Sequence, residues 1–222
     1  MVTTLVVATH PDDETLGCGG TLLKHNSNND EIYWLLITKA TKEAGYSQNF
    51  IKKRSEEIKA VEENYNIKKT FNLEFPVTRL DTFPLSDIIK KIANVFNKVQ
   101  PEIIYIPNRS DVHSDHRVTF DAVMSCTKSF RFPYIKRVLM YETISETEFS
   151  PALRENSFQP NSFCDISDHI EDKLEILKIY ESEIGEHPFP RSEENVRALS
   201  KFRGAMIGVN YAEAFMILKE VF

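Results

Sequence analysis

Two short segments hold most of the side chains that could do chemistry. His10-Pro11-Asp12-Asp13-Glu14 lies near the start, and Asp111-Val112-His113-Ser114-Asp115-His116 follows far along the chain. Adjacent carboxylates repel one another and cost stability unless a proton or a cation offsets them. Imidazole nitrogen with carboxylate oxygen, and no thiolate, suits zinc or a similar divalent ion. Three protein ligands with a fourth place left to water is the arrangement of a catalytic zinc site rather than a closed structural one. His10, Asp13 and His116 would supply the three, which leaves Asp12, His113 and Asp115 for chemistry or support. The plainer reading is helix capping. Asp12 to Glu14 would favour the dipole of one helix, and Asp111, Ser114 or Asp115 could cap another. Capping accounts for one acid at each place, but not for histidines and acids together at both.

Convergence of the two segments requires elements that bring them to one edge. Apolar runs at 4–8, 32–38, 70–73, 102–106 and 137–141 read as strands. Helical patterns separate them at about 14–25, 48–65, 85–99 and 116–128. Near-continuous apolar strands alternating with helices imply an α/β fold, a mostly parallel sheet covered on both faces. Ligands of such sheets bind beyond the carboxyl ends of the strands, where the winding reverses. In a sheet ordered 3-2-1-4-5, the first and fourth strands are neighbours across that switch, and His10, His113 and His116 converge. Past residue 145, Pro151, Pro160, Pro188 and Pro190 mark loops, with helical stretches at about 167–183 and 193–204. The final "YAEAFMILKEVF" could end as strand or helix. The expectation is one domain over 1–222 with an embellished C-terminal part.

Composition excludes several classes. A formal net charge of −6 over 222 residues argues against a nucleic-acid binder, which usually carries a basic surface. No run is long and apolar enough to cross a bilayer. The start, "MVTTLVV", reads directly as a strand, without the basic n-region of a signal peptide. Three cysteines, Cys18, Cys126 and Cys164, are far apart and form no CxxC pair, so a reducing cytoplasm is the expected compartment. Gly17, Gly19 and Gly20 superficially suggest a dinucleotide loop, but the GxGxxG order is absent and acids fill the phosphate position. Close helix packing is the expected reason for them. Oligomeric state is open, since interface residues look like any other surface here.

At these residues the chain resembles the LmbE-like (PIG-L) family of zinc-dependent N-acetylglucosamine deacetylases. The resemblance rests on "THPDDETLGCGG" with "HSDHR", and on "KKRSEEIKAVEE", "DISDHIEDKLEILKIYESE" and "RGAMIGVNYAEAF" in the family's order. It implies a Rossmann-like three-layer fold and a hydrolase acting on a linear amide C–N bond. It also implies a substrate that is a small sugar or glycoconjugate, and Zn2+ as cofactor, or another divalent ion such as Fe2+. Carried over by motif, His10, Asp13 and His116 look like metal ligands and Asp12 like the general base. His113 would face the oxyanion or give a proton to the leaving amine, and Asp115 would orient a histidine. Glu14 is read as structural. The resemblance aims Arg54 at the sugar, and the alternative is a solvated helical charge paired with Glu57. Asp111 could contact sugar hydroxyls or cap its loop. His187 and Arg191 are read as parts of a surface loop, and His25 and His169 as ordinary exposed residues. Two rival functions follow from the same residues: a carbohydrate-binding module that keeps the metal without turnover, and a zinc amidase on a non-sugar amide.

Overall fold

A computed structural model describes all residues, Met1–Phe222. It contains seven strands and six α-helices. They are β1 (Thr3–Ala8), α1 (Asp13–Ser27), β2 (Glu31–Lys39), α2 (Gln48–Asn64), β3 (Lys69–Pro76), α3 (Leu85–Val99), β4 (Ile103–Pro107), α4 (Ser114–Ser125), β5 (Arg137–Tyr141), β6 (Ser162–Asp165), α5 (Ile170–Leu177), α6 (Glu193–Ala205) and β7 (Ala212–Glu220). One sheet runs in the order β3-β2-β1-β4-β5-β7-β6. The first five strands are parallel, as the apolar patterning implies, and β7 is antiparallel to both β5 and β6. No helix is long and apolar enough to cross a membrane.

The central parallel strands β1, β2, β4 and β5 are buried on both faces, so successive residues serve different cores. Leu5 and Val7 of β1 pack with Ile88, Ile92 and Phe96 of α3 and Ala122 and Val123 of α4. Val6 and Ala8 point the other way, toward Cys18 and Leu22 of α1 and Val61 of α2. Alternate strand side chains stand on opposite sides of a sheet, and here neither side reaches solvent. Helix α1 lies close against β5. A methyl group at Gly17 would stand 2.2 Å from the Tyr141 ring, and one at Gly20 would stand 2.7 Å from Ile166. These two glycines are needed for close approach.

The C-terminal third departs from expectation in two places. The helix read over 167–183 is confined to Ile170–Leu177, because the following turn carries Tyr180 to Glu14 (2.8 Å) and Glu183 to two arginines. Ser162–Asp165 forms an edge strand that its short, mixed sequence did not signal. The final apolar stretch resolves as β7, whose backbone groups are claimed on both sides by β5 and β6. A third apolar cluster, with Ile144, Ile166, Leu174 and Val196, joins this part of the chain to Leu16 of α1.

Candidate metal centre

Strands β1 and β4 are parallel neighbours, so both polar segments leave the sheet at the same edge. Thr9 is anchored there: its carbonyl accepts from Thr38 N (3.1 Å) and Thr38 Oγ1 (2.7 Å). The chain then reverses through Asp12, which takes φ 134°, a backbone region that non-glycine residues seldom adopt. Such strain persists only where the surroundings impose it, and it is concentrated at functional sites. Asp13 and Glu14 open α1 behind it. On the other segment, His113 is the N-cap of α4, and its Nδ1 accepts from Asp115 N (3.1 Å). The three imidazoles come together: ring centres lie 4.5 Å apart for His10 and His113, and 5.1 Å for His10 and His116.

The hydrogen bonds around these rings set their tautomers. His116 Nδ1 faces Asp111 Oδ2 at 2.8 Å, so it carries a proton and Nε2 is the nitrogen turned toward His10 and Asp13. His10 Nε2 faces Asp115 Oδ2 at 3.3 Å, so its Nδ1 bears the lone pair. Those two nitrogens meet at 3.2 Å, and Asp13 Oδ2, which accepts from His10 N at 2.8 Å, stands 3.3 Å from His116 Nε2 and 3.9 Å from His10 Nδ1. Without a metal, a proton on His116 Nε2 holds the three together. Two nitrogens and one oxygen at this spacing suit a divalent ion in place of that proton. Burial would lower the His116 pKa, but Asp13 and Asp111 outweigh it and push it up to about 9. The same field that holds a proton there favours a metal. A second group, His10, His113 and Asp115, also has ligand atoms within 4.8 Å of one another. There the Asp115 carboxylate is already occupied by Thr78 N (2.7 Å) and Leu80 N (3.1 Å), and it does not line the cavity.

That cavity, of about 380 Å³, opens directly over the cluster and is lined by His10, Asp12, Asp13, His113 and His116. Asp12 is nearly buried, and its Oδ2 accepts from Arg191 Nη1 at 2.6 Å. Burial and the neighbouring Asp13 raise the Asp12 pKa well above the ordinary carboxylate value, against the pull of Arg191. His113 is driven down to about 4 by burial and by His10 and His116, so its ring is neutral. With Nδ1 accepting from the helix, the proton of that neutral ring resides on Nε2. Glu14 is fully buried and bound by Thr15 Oγ1 (2.7 Å), Tyr180 OH (2.8 Å) and Asp12 N (3.1 Å). Burial lifts it to about 7, and it braces the turn at Asp12.

Several expectations need correction. Asp111 does not reach the cavity: it is fully buried behind His116, and its Oδ1 accepts from Thr147 Oγ1 at 2.6 Å. It orients a histidine, as Asp115 does from behind His10. Arg54 is paired with Glu57 (3.1 Å), yet it is not solvated. Its side chain is 8% exposed, donates to Pro11 O (2.9 Å), binds Glu183 and lines the cavity. Arg191 belongs to the site rather than to a bare surface loop. His25 is not an idle exposed residue, since its ring bridges Asp30 (2.8 Å) and Tyr105 OH (2.9 Å). Glu146 went unread. It lies past the end of β5, lines the cavity and accepts from His113 N at 3.1 Å. Its place after a central parallel strand was the signal that could have found it. Nothing near Arg191 in sequence points to Asp12.

The chain is similar to several known proteins. The family PIG-L, GlcNAc-PI de-N-acetylase, matches residues 5–127, which include both polar segments. The diacetylchitobiose deacetylase of Thermococcus kodakarensis is 27% identical over 225 residues, covering 98% of this chain and 84% of that protein. Among solved structures, the N,N′-diacetylchitobiose deacetylase of Pyrococcus horikoshii superposes with a TM-score of 0.77 at 22% identity, covering 97% of this chain and 83% of that one. The 4-carboxy-2-hydroxymuconate hydratase GalB of Pseudomonas putida superposes at 0.73 with 16% identity, covering 100% and 98%. A hydratase on the same scaffold means that the fold alone does not choose the reaction.

Proposed function

The chain belongs to the PIG-L (LmbE-like) family, and on that premise we propose that it is a metal-dependent hydrolase. In this reading it removes the N-acetyl group from an N-acetylglucosamine-type sugar or glycoconjugate. One observation carries the proposal: two imidazole nitrogens and a carboxylate oxygen meet on a cavity floor beside a further buried acid, Asp12. A relative named for deacetylation of a sugar, matching 98% of the chain, supports the substrate class. His10, Asp13 and His116 would hold the ion, which we take to be Zn2+, with Fe2+ as the other candidate. The unpaired cysteines fit a reducing cytoplasmic location, and the whole of 1–222 is proposed as the deacetylase unit.

When bound, such an ion polarises an amide carbonyl and lowers the pKa of water. The remaining work falls to the chain. Asp12, buried and with its pKa raised, takes the proton from the attacking water. The Nε2–H of neutral His113 donates to the oxygen on which charge develops, and the α4 N–H at Nδ1 keeps that proton correctly placed. Asp111 and Asp115 hold the two imidazoles in their lone-pair-forward tautomers. The leaving amine then takes its proton from Asp12 or His113. Arg54, tied to Pro11 O, bounds the sugar side.

Acetate release across a panel of N-acetylated sugars and non-sugar amides, with and without a chelator, tests the reading. Chelator-sensitive release from N-acetylglucosamine compounds is expected. Metal uptake with no release from any amide would identify a binding module, and release confined to non-sugar amides would identify an amidase.

A further inference from the structure

One wall of the cavity is a layered stack that leads away from the proposed metal loop. Arg54 donates to Pro11 O, beside His10, and its guanidinium lies 5.3 Å from the centre of the Phe50 ring. Phe50 in turn stacks on Tyr46, with ring centres 4.9 Å apart and planes 28° from parallel. Both rings are half-exposed and line the cavity. The loop presenting Tyr46 is a hydrogen-bonded turn: Thr41 O accepts from Tyr46 N (3.2 Å), and the turn passes through Gly45 at φ +91°. Ser47 then caps α2 by accepting from Phe50 N.

An aromatic residue just before an N-cap often packs on the first turn of its helix. That explains why Tyr46 meets Phe50. It does not explain why both line a catalytic cavity, together with Lys39, Asn72 and Glu74. Aromatic rings combined with a few hydrogen-bonding side chains form a surface for a molecule with one apolar face and a polar rim. Lys39 pairs with Glu74 at 2.8 Å and Asn72 Oδ1 accepts from Glu74 N (2.8 Å), and this exposed polar rim has donors and acceptors to spare for hydroxyls. A pyranose has that character, whereas an acyl chain laid there would strip water from the ion pair and return no hydrogen bond.

We propose that Tyr46 and Phe50 form a subsite for a second sugar ring, the one bonded to the N-acetylated residue, with its apolar face on the aromatic pair and its hydroxyls toward Lys39, Asn72 and Glu74. This rests on the N-deacetylase reading and specifies its substrate as an oligosaccharide or disaccharide end.

The test compares kcat/KM for N-acetylglucosamine, N,N′-diacetylchitobiose and the octyl glycoside of N-acetylglucosamine. The proteins are the parent and its Tyr46→Ala, Tyr46→Phe and Phe50→Leu variants. The parent is expected to favour the disaccharide over the monosaccharide. Tyr46→Ala and Phe50→Leu should each cut that preference about tenfold, while Tyr46→Phe, which keeps the ring, retains it. An undiminished preference, or an equal fall for the octyl glycoside, would overturn the subsite. Calorimetric binding of the deacetylated disaccharide, against glucosamine, reads the same contact without turnover. Tyr46→Ala should weaken the disaccharide about tenfold, and retained affinity would overturn the proposal. If the parent binds the disaccharide through Tyr46 yet releases no acetate from any sugar, the subsite stands and the deacetylase reading fails.

Discussion

Helix α1 carries one cluster of buried charge at its first residue and another at its midpoint, and the two are opposite in kind. At the midpoint the helix kinks, with Cys18 at φ −147° and ψ 21°, so the hydrogen-bond ladder breaks. Glu213 of β7 accepts from the freed Gly20 N (2.9 Å), Thr21 N (2.7 Å) and Thr21 Oγ1 (2.6 Å). Lys173 of α5 pairs with Glu213 at 2.7 Å and donates to the freed Leu16 O at 3.0 Å. Every charge there has a protein partner, and the adjoining void of about 20 Å³ holds no more than water. At the N-terminus, by contrast, His10, Asp13 and His116 crowd together under an open cavity with no lysine or arginine paired to them. Burial alone therefore does not mark a functional charge. What distinguishes the pair is whether the protein's own donors close the cluster.

The contrast can be broken most severely at the ligands. His116→Ala should abolish bound metal and acetate release together, checked by elemental analysis of the purified protein beside an acetate assay. Metal retained at full occupancy would place the ion elsewhere. Next comes Asp12→Asn, in which asparagine tolerates the strained turn. It should keep its metal while turnover falls about 10²- to 10⁴-fold, the loss expected when a general base is removed. Near-normal turnover would show that the base is another residue.

At the closed cluster the effect moves from chemistry to stability. Lys173→Met leaves the Glu213 charge buried without its cation and should cost about 3–5 kcal/mol in denaturant unfolding, with turnover per folded molecule preserved. The smallest effect separates two roles of one residue. His113→Ala loses the α4 cap, at about 1 kcal/mol, and His113→Asn should restore it, because asparagine is a good N-cap. Turnover should remain depressed about 10²- to 10³-fold in both, as for the loss of an oxyanion donor. Recovery of turnover in the asparagine variant would reduce His113 to a structural cap.

Much of the scaffold and part of the site were legible in the residues. Runs such as Leu5–Ala8 and Ile32–Ile37 are near-continuously apolar, as strands buried on both faces are, and their alternation with helices implied a mostly parallel sheet. Given the order 3-2-1-4-5 for such a sheet, His10 and His116 were expected to meet. Features resting on single long-range contacts were not legible. Arg191 follows a Pro-Phe-Pro loop like that of many exposed turns, and only the fold sets its guanidinium on Asp12. Asp111 and Asp115 are equivalent in sequence as acids near histidines. Which histidine each orients depends on the backbone path between β4 and α4. The short strand Ser162–Asp165 has too few residues for a pattern, and its pairing with β7 is decided at that partner.

Periodicity and local chemistry are properties of neighbours along the chain, so the residues of 10–14 and 111–116 sufficed to name a candidate cation site and the layers that carry it. Whether a buried charge is left open or closed depends on which distant donor reaches it. Lys173 finds Glu213 and Arg191 finds Asp12 only after three-dimensional packing. Chain order does not encode that distance, because helices, turns and an antiparallel strand intervene, and their relative placement is settled by collective burial rather than by any one residue.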